Sequence, residues 1–506
     1  MLRNVLTPGC IVTLLLLPFT PSLRADDVAA LKAQVKQLQS RLETLESRRT
    51  DQVEKEELAG MMKEILDEAQ ATPALPAWMK NLTLHGDFRL RFEHQSYQGR
   101  RGGGNALNNP RVGERKDRNR IRMRLRFGFT KTWWDEQMEV GFRLATGEDN
   151  QPASTNQTMT GDFSKKPVWI DLMYAKYKPN WLKGLEIGGG KIWNPIKTRT
   201  MLTWDGGLCP EGLYVDYVAP FFGEFKPYAQ MGFWMVNEEG TRSATGMNAG
   251  STLRDTVMYS YSAGFEWKFM DALEWFFGAT YYDYHNADAS TGGWLGRYGA
   301  DGQWAVGPGG QTPTQNAAAA TQAYPAADYG LLELTTKVGW KFGFMPQPLE
   351  RWTAWFTFVH NCRDDYNVWK NPPIPAVGGL GADRHFQNDP NAYGLGIQAG
   401  ENKKKNDFSL AYAYYYMEYG SVVPGFGDGT LGGPNNQGHL VQAIYNIDDF
   451  LTLGGLMVLY QPIHTNDNPA NAAANNTTPV ATPAQVNFPH SLDMTAVFRL
   501  ELIWKF

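Results

Sequence analysis

Between residues 120 and 129 the chain alternates strictly between two chemistries. Arg120, Arg122, Arg124 and Arg126 share one parity, and Ile121, Met123, Leu125, Phe127 and Phe129 share the other. Successive side chains of a strand point to opposite faces, so a period of two describes a ribbon with a guanidinium face and an apolar face, not an amphipathic helix. A soluble sheet accommodates one such strand by packing its apolar face on a core. Here the pattern recurs down the whole chain, which points to an all-β fold of another kind: a transmembrane antiparallel barrel with apolar side chains against lipid and arginines in a water-filled lumen. An arginine on the lipid face near the midplane costs roughly 2–4 kcal/mol, so a ladder of them would cost on the order of 10 kcal/mol there. Only the lumen suits them.

A chain of 506 residues has the length of several soluble domains of roughly 100–200 residues each, but one large barrel absorbs it equally well. Aromatic residues make up 13% of the chain, with 17 Trp and 23 Tyr, and such residues collect at the two membrane interfaces. An aromatic-rich β-sandwich is the competing fold. The long apolar run, 11–19, follows Arg3 and precedes Ala25 and Asp26, the layout of a secretory signal peptide over 1–25. It is too short for a membrane-spanning helix. Cleavage after Ala25 would remove Cys10 and leave Cys209 and Cys362, which are expected to lie far apart around the barrel as free thiols. With a net charge of −4, and with basic residues that alternate instead of clustering, no nucleic-acid partner is expected.

Residues 26–72 read as helix. Val28, Leu31, Val35, Leu38, Leu42 and Leu45 step by three and four, the spacing of a coiled-coil seam. Leu58, Met62, Ile65 and Ala69 resume a stripe in a shifted register before Pro73 and Pro76 end it. A periplasmic coiled coil joining subunits is expected, a single helix or tether being the alternative; valine at one seam position and leucine at the other favour two strands. Residues 73–81 form a linker, and 82–506 the barrel.

About sixteen strands are expected, within a range of fourteen to eighteen. The first is 82–92, the second 118–131 and the last 492–506. Short connections such as 132–136, 270–272 and 448–450 alternate with long ones such as 93–117, 146–167, 285–329, 362–392 and 461–491. Tight turns on one side and long loops on the other are the plan of an outer-membrane barrel, with both chain ends in the periplasm. Two loop stretches, 307–322 and 466–487, lack an apolar face and are expected to be mobile.

The last strand carries Phe498, Leu500, Leu502, Trp504 and Phe506 on one parity, which resembles the signal that hands outer-membrane proteins to the barrel-assembly machinery. Trp133, Trp134, Trp181, Phe221, Phe222 and Phe269 fall in or beside the short turns, as a periplasmic girdle would. Together the signal peptide, the heptads, "DRNRIRMRLRFGF" and the terminal "LIWKF" resemble the bacterial putative-porin family, with a plan similar to that of phosphate-selective porins and, more loosely, of alginate-export barrels. The resemblance implies a homotrimeric diffusion channel for small hydrophilic or anionic solutes in the outer-membrane lipid of a Gram-negative bacterium; a dimer stays open.

Arg89 and Arg91 share parity with Asp87 and His85, and Arg143 with Glu139. With Arg120, Arg122, Arg124 and Arg126 they would make a basic sector of the lumen wall and favour anions; Asp171, Arg499 and Glu501 show that the lumen is mixed. The loop 194–211 is the third long one. In sixteen-stranded porins that loop folds inward, and here it would bring Lys197, Arg199, Asp205 and Glu211 against the arginine wall; a loop capping the outside is the alternative. Gly188, Gly189 and Gly190 lack the Walker spacing, and are expected to let a loop lie close to the wall. No cofactor or metal spacing is found and no enzyme is expected. The nearest catalytic pair is His85 with Asp87, for a lipase-like or protease-like barrel. An exporter or an adhesin barrel is the remaining alternative.

Overall fold

The computed structural model describes residues 33–34, 36–40, 79–97, 117–148, 151–160, 162–238, 255–285, 329–363, 390–418, 420–423, 425–463 and 494–506. The chain forms two units, Met1–Lys80 and Asn81–Phe506. In the first, residues 33–34 and 36–40 are helical; the signal peptide, most of the coiled coil and the stretches 307–322 and 466–487 lie outside the described residues.

Among the described residues the second unit is strands and connections, with one short 3-10 helix at Gly429–Leu431. Its elements are β1 (Leu82–Tyr97), β2 (Arg118–Trp133), β3 (Met138–Thr146), β4 (Gln157–Thr158), β5 (Val168–Tyr177), β6 (Leu185–Lys191), β7 (Glu211–Val218), β8 (Phe225–Asn237), β9 (Thr256–Met270), β10 (Leu273–His285), β11 (Gly330–Lys341), β12 (Arg351–Asn361), β13 (Asn391–Gly400), β14 (Phe408–Met417), β15 (Asn436–Asp448), β16 (Leu451–Pro462) and β17 (Thr495–Lys505). The two-residue β4 is part of a connection and lies along the upper edge of β2. The other sixteen are antiparallel staves, each paired with its neighbours, and β1 pairs with β17 to close the ring. Closure removes every sheet edge, the condition for strands to cross a bilayer.

The seam shows how the C-terminal aromatic is used. Gly86 and Phe506 exchange backbone hydrogen bonds, N to O at 2.8 and 3.1 Å, and the Phe506 ring lies where a Cβ on Gly86 would stand, 2.5 Å away. Any side chain at 86 would displace the terminal ring. At the end with the short turns, Trp134, Trp181 and Phe221 are 69%, 75% and 67% exposed, as a girdle at a water–lipid boundary requires.

Side-chain parity matches the alternation. In β2, Arg122 and Arg124 are buried while Ile121, Leu125 and Phe127 are exposed; in β8, Tyr228, Gln230 and Trp234 are buried while Met231, Phe233 and Met235 are exposed. The outward set is apolar, the inward set polar or aromatic.

Two expectations change. The glycine run of β6 makes room for the wall itself: a Cβ on Gly188 would lie 2.4 Å from the Tyr214 ring of β7, and one on Gly189 2.3 Å from Leu213. The interior, in turn, is not uniformly an arginine-lined water channel. Ile192, Ile196, Leu202, Trp204 and Leu208 pack with Val422, Val423, Phe426 and Leu431 and with inward residues of β7–β17 such as Tyr282, Val359, Tyr415 and Val458 in one apolar cluster. Two long connections rich enough in apolar groups to need burial fold inward and supply it.

Candidate functional site

One side of the bore is a ladder of opposite charges built by β1, β2, β3, β5 and β17. Register sets Asp87 beside Arg126, Arg89 beside Arg124, Arg91 beside Arg122 and Glu93 beside Arg120, and on the other flank Arg91 beside Glu501 and Glu93 beside Arg499. Directly opposed side chains on one face of an antiparallel pair are in reach of each other. The carboxylate of Asp87 accepts from Arg124 Nε at 2.8 Å and from Arg126 Nε at 2.7 Å. Glu501 accepts from Arg91 Nε at 2.8 Å and lies 3.4 Å from Arg89 Nη1. Glu93 is buried between Arg120 and Arg499, the latter donating from Nε at 2.8 Å, and Arg143 donates to Asp171 at 2.6 Å. All eight residues named above as the wall set, from Arg89 to Asp171, thus come together in one sector. They do so with three further carboxylates, Asp87, Glu93 and Glu501, threaded among them, where the sequence pattern suggested a mainly basic wall.

The connection between β6 and β7 runs through the inside. Thr335 of β11 donates to the Thr198 carbonyl at 2.9 Å, and the Thr198 methyl lies over Gly278 of β10, where a Cβ would come within 2.7 Å of it. Both Gly278 and Thr335 sit mid-strand, so the contacts are at mid-height and the connection is no cap. A carboxylate pins it there. Glu333, 0% exposed, accepts from Tyr282 Oη at 2.6 Å, Thr200 Oγ1 at 2.9 Å and Thr203 Oγ1 at 3.0 Å. Three hydroxyl donors replace the water that a buried carboxylate loses.

Of the four loop residues singled out in the sequence, one faces the ladder. Lys197 is held by both oxygens of Asp216, at 2.9 and 2.8 Å, above the Tyr228 ring. Arg199 donates to the Ile196 carbonyl of its own loop at 2.8 Å. Glu211 is a correction: it is the first residue of β7, on the outward parity with Leu213 and Val215, 61% exposed and paired with Lys191 at 2.8 Å. The strand begins one residue earlier than the pattern suggested, and that one residue puts its side chain on the other side of the wall. Asp205 remains, in the field of Arg499 and Arg91; burial, together with the neighbouring Asp428 carboxylate, pushes its carboxyl up to about 7.

Asp428 belongs to a second inward segment, between β14 and β15. The Asp205 N–H donates to the Phe426 carbonyl at 2.5 Å, and the Asp428 N–H to the Met201 carbonyl at 2.9 Å. Phe426 packs on Trp204 with ring centroids 5.4 Å apart. The two segments therefore form one partition across the bore, and Arg499 donates from Nη1 to Thr430 at 2.7 Å at its edge. The signal that marks this segment is the set Val422, Val423, Phe426 and Leu431 in an otherwise glycine-rich stretch.

Cys209 and Cys362 are free thiols, the first buried and the second exposed. The pair His85 and Asp87 makes no dyad, because Asp87 is engaged by Arg124 and Arg126.

Compared with known proteins, residues 28–293 match a family model described as a putative porin. No curated protein sequence matches the chain. Among solved structures, the chain is similar to three variants of the Rhodopseudomonas blastica porin, each at 9% identity over 84% of this chain and 100% of the other, with TM-scores of 0.37, 0.37 and 0.36.

Proposed function

Because the chain belongs to the putative-porin family, whose model matches more than half of it, we propose that it is an outer-membrane porin through which small hydrophilic solutes diffuse, with a preference for anions. In this reading the solute passes along the ladder face, on the side of the partition that the apolar cluster does not fill. The observation that carries the preference is the charge count of that face. Arg89, Arg91, Arg120, Arg122, Arg124, Arg126, Arg143 and Arg499 stand against Asp87, Glu93, Asp171 and Glu501, a surplus of four positive charges. Asp205 and Asp428 on the partition oppose them, so a solute would cross a transverse field in which the guanidiniums outnumber the carboxylates. Lys197 and Arg199, tied to Asp216 and to their own loop, shape the constriction by holding the loop and not by meeting the solute.

The short-turn end, with Leu82 and Phe506, is placed in the periplasm in this reading, and Phe506 is the residue offered to the assembly machinery. A homotrimer follows from the resemblance, and chemical crosslinking of the protein in native membranes tests it against a dimer. The protein is read as a channel without catalysis. Reversal potentials in planar bilayers under a potassium chloride gradient test the whole proposal: a potential on the chloride side is expected, one on the potassium side refutes the anion preference, and the absence of conductance refutes the porin.

A further inference from the structure

One rung of the ladder differs from the others. Arg91, Arg120, Arg124, Arg126, Arg143 and Arg499 each make an ion pair with a carboxylate, whereas Arg122, 6% exposed, pairs with no carboxylate among the described residues. Its contacts are long and uncharged: Nη2 donates to the Asn156 carbonyl at 3.3 Å and to Ser154 Oγ at 3.5 Å. Its Nε is buried without a partner, and so is the Nε of Arg89. Arg89, 7% exposed, is next to it and shares Glu501 with Arg91, at 3.4 Å against 2.7 Å; it also donates from Nη2 to the Asn156 side chain.

The wall alone does not bury these two groups. Asn156 and Ser154 come from the connection between β3 and β5, which lies along β2 so that Thr158 faces Arg122 in register. The connection is fixed there by Thr158 Oγ1, which donates to Glu148 at 2.7 Å, and by Thr146 Oγ1, which donates to the Thr155 carbonyl at 3.0 Å. A guanidinium taken out of water needs a countercharge or full hydrogen bonding in return. Among the described residues Arg122 has neither. It presents a planar fork of donors, with the Ser154 hydroxyl beside it and, among the described residues, no carboxylate in ion-pair contact, whereas the six guanidiniums named above each have one.

We propose that Arg122 and Arg89, covered by Ser154 and Asn156, form a binding site for a small oxyanion, either a carboxylate or an inorganic oxyanion of similar size. An anion in transit displaces no resident carboxylate here, so this rung is where it pauses. The site rests on the anion-preferring reading of the bore, and its failure is distinguishable from the failure of that reading.

The test uses the full-length protein in planar bilayers, carrying chloride current while sulfate or acetate is added. Sulfate or acetate lowers the current saturably in the parent protein. Arg122→Gln raises the half-blocking concentration about tenfold or more, relative to its own chloride current, as expected for loss of a charge-assisted contact. Asn156→Asp does the same by supplying the missing carboxylate from within, and as a near-isosteric change it guards against loss of folding in the first variant. Arg91→Gln, whose guanidinium already has Glu501, shifts the half-blocking concentration by less than about threefold. The site is overturned if neither anion blocks the parent saturably, or if both Arg122→Gln and Asn156→Asp are blocked as the parent is. A reversal potential on the potassium side, measured on the same membranes, overturns the anion preference instead.

Discussion

Around β1, β2, β3 and β17 the inward positions hold guanidiniums and carboxylates, while around β9–β16 the buried ones are mainly tyrosine, threonine, methionine and valine, with Glu333 as the buried carboxylate that holds the β6–β7 connection. The backbone is the same closed ladder on both sides. What differs is what each wall must face. The aliphatic and aromatic wall is covered by the partition formed by the β6–β7 and β14–β15 connections, and its polar groups are satisfied within that contact, as Thr335 is by the Thr198 carbonyl. On the charged wall each carboxylate is shared between two guanidiniums or paired with one, an arrangement that leaves donor capacity for a passing solute. A barrel interior is thus not one environment: one side behaves as a dry core and the other as a polar surface held in fixed geometry.

The contrast can be broken from the dry side first. Trp204→Ala removes a ring that is 5% exposed and packs on Tyr282 and Phe426. A loss of about 3–5 kcal/mol is expected for such a truncation. Since Trp204 belongs to the partition and not to the wall, the expected result is a barrel that still forms but conducts more, seen as higher single-channel conductance and a lower midpoint in chemical unfolding. Unchanged conductance would mean that the partition does not limit the path.

On the charged side, Asp87→Asn takes from Arg124 and Arg126 their shared negative charge and one of the two acceptor oxygens. Breaking a buried pair by removing one partner costs about 3 kcal/mol or more, and the ladder gains a net positive charge. Unfolding should come at lower denaturant, with a reversal potential moved further toward chloride. If stability falls and selectivity stays, the ladder is structural and lies off the solute path.

A smaller effect is set by pH at the boundary between the two regions. With the Asp205 carboxyl pushed up to about 7 by burial and by Asp428, it is charged above that pH and opposes anions there, and neutral below it. Chloride preference should therefore rise as pH falls from 8 to 6, and Asp205→Asn should flatten this dependence at the level of the low-pH form.

The smallest effect concerns the thiols. Burial pushes the Cys209 thiol up to about 11, so its thiolate is scarce at neutral pH, whereas Cys362 is exposed. Maleimide should label Cys362 quickly and Cys209 only after unfolding; equal rates would place Cys209 outside the dry region.

Much of the barrel could be read from the chain because it depends on a period of two. The parity of Arg120 to Arg126 against Ile121 to Phe129, the short connections, and the terminal Phe506 each follow from local pattern alone, and the observed staves match the expected number. The pairing of carboxylates with guanidiniums could not be read so, since it depends on the register between β1, β2 and β17, strands whose partners lie up to about 400 positions apart in the chain, as Arg499 and Glu93 do at |i−j| = 406. Glu211 fell on the wrong side of the wall through a boundary shift of one residue. The β14–β15 segment was hidden because glycine, proline and asparagine dominate it, and its four apolar residues have no period to announce burial. Arg122 looked identical to Arg120 and Arg124 in sequence; only the structure shows that its neighbours are Ser154 and Asn156.

The most direct test of the two-sided interior is cysteine substitution in a background of Cys209→Ser and Cys362→Ser, with a negatively charged, membrane-impermeant thiol reagent added during current recording. Arg126→Cys on the charged wall should be modified and its current reduced, while Val359→Cys, fully buried on the dry wall, should be untouched. Modification of Val359→Cys with Arg126→Cys unaffected would place the solute path on the opposite side of the partition and contradict the account.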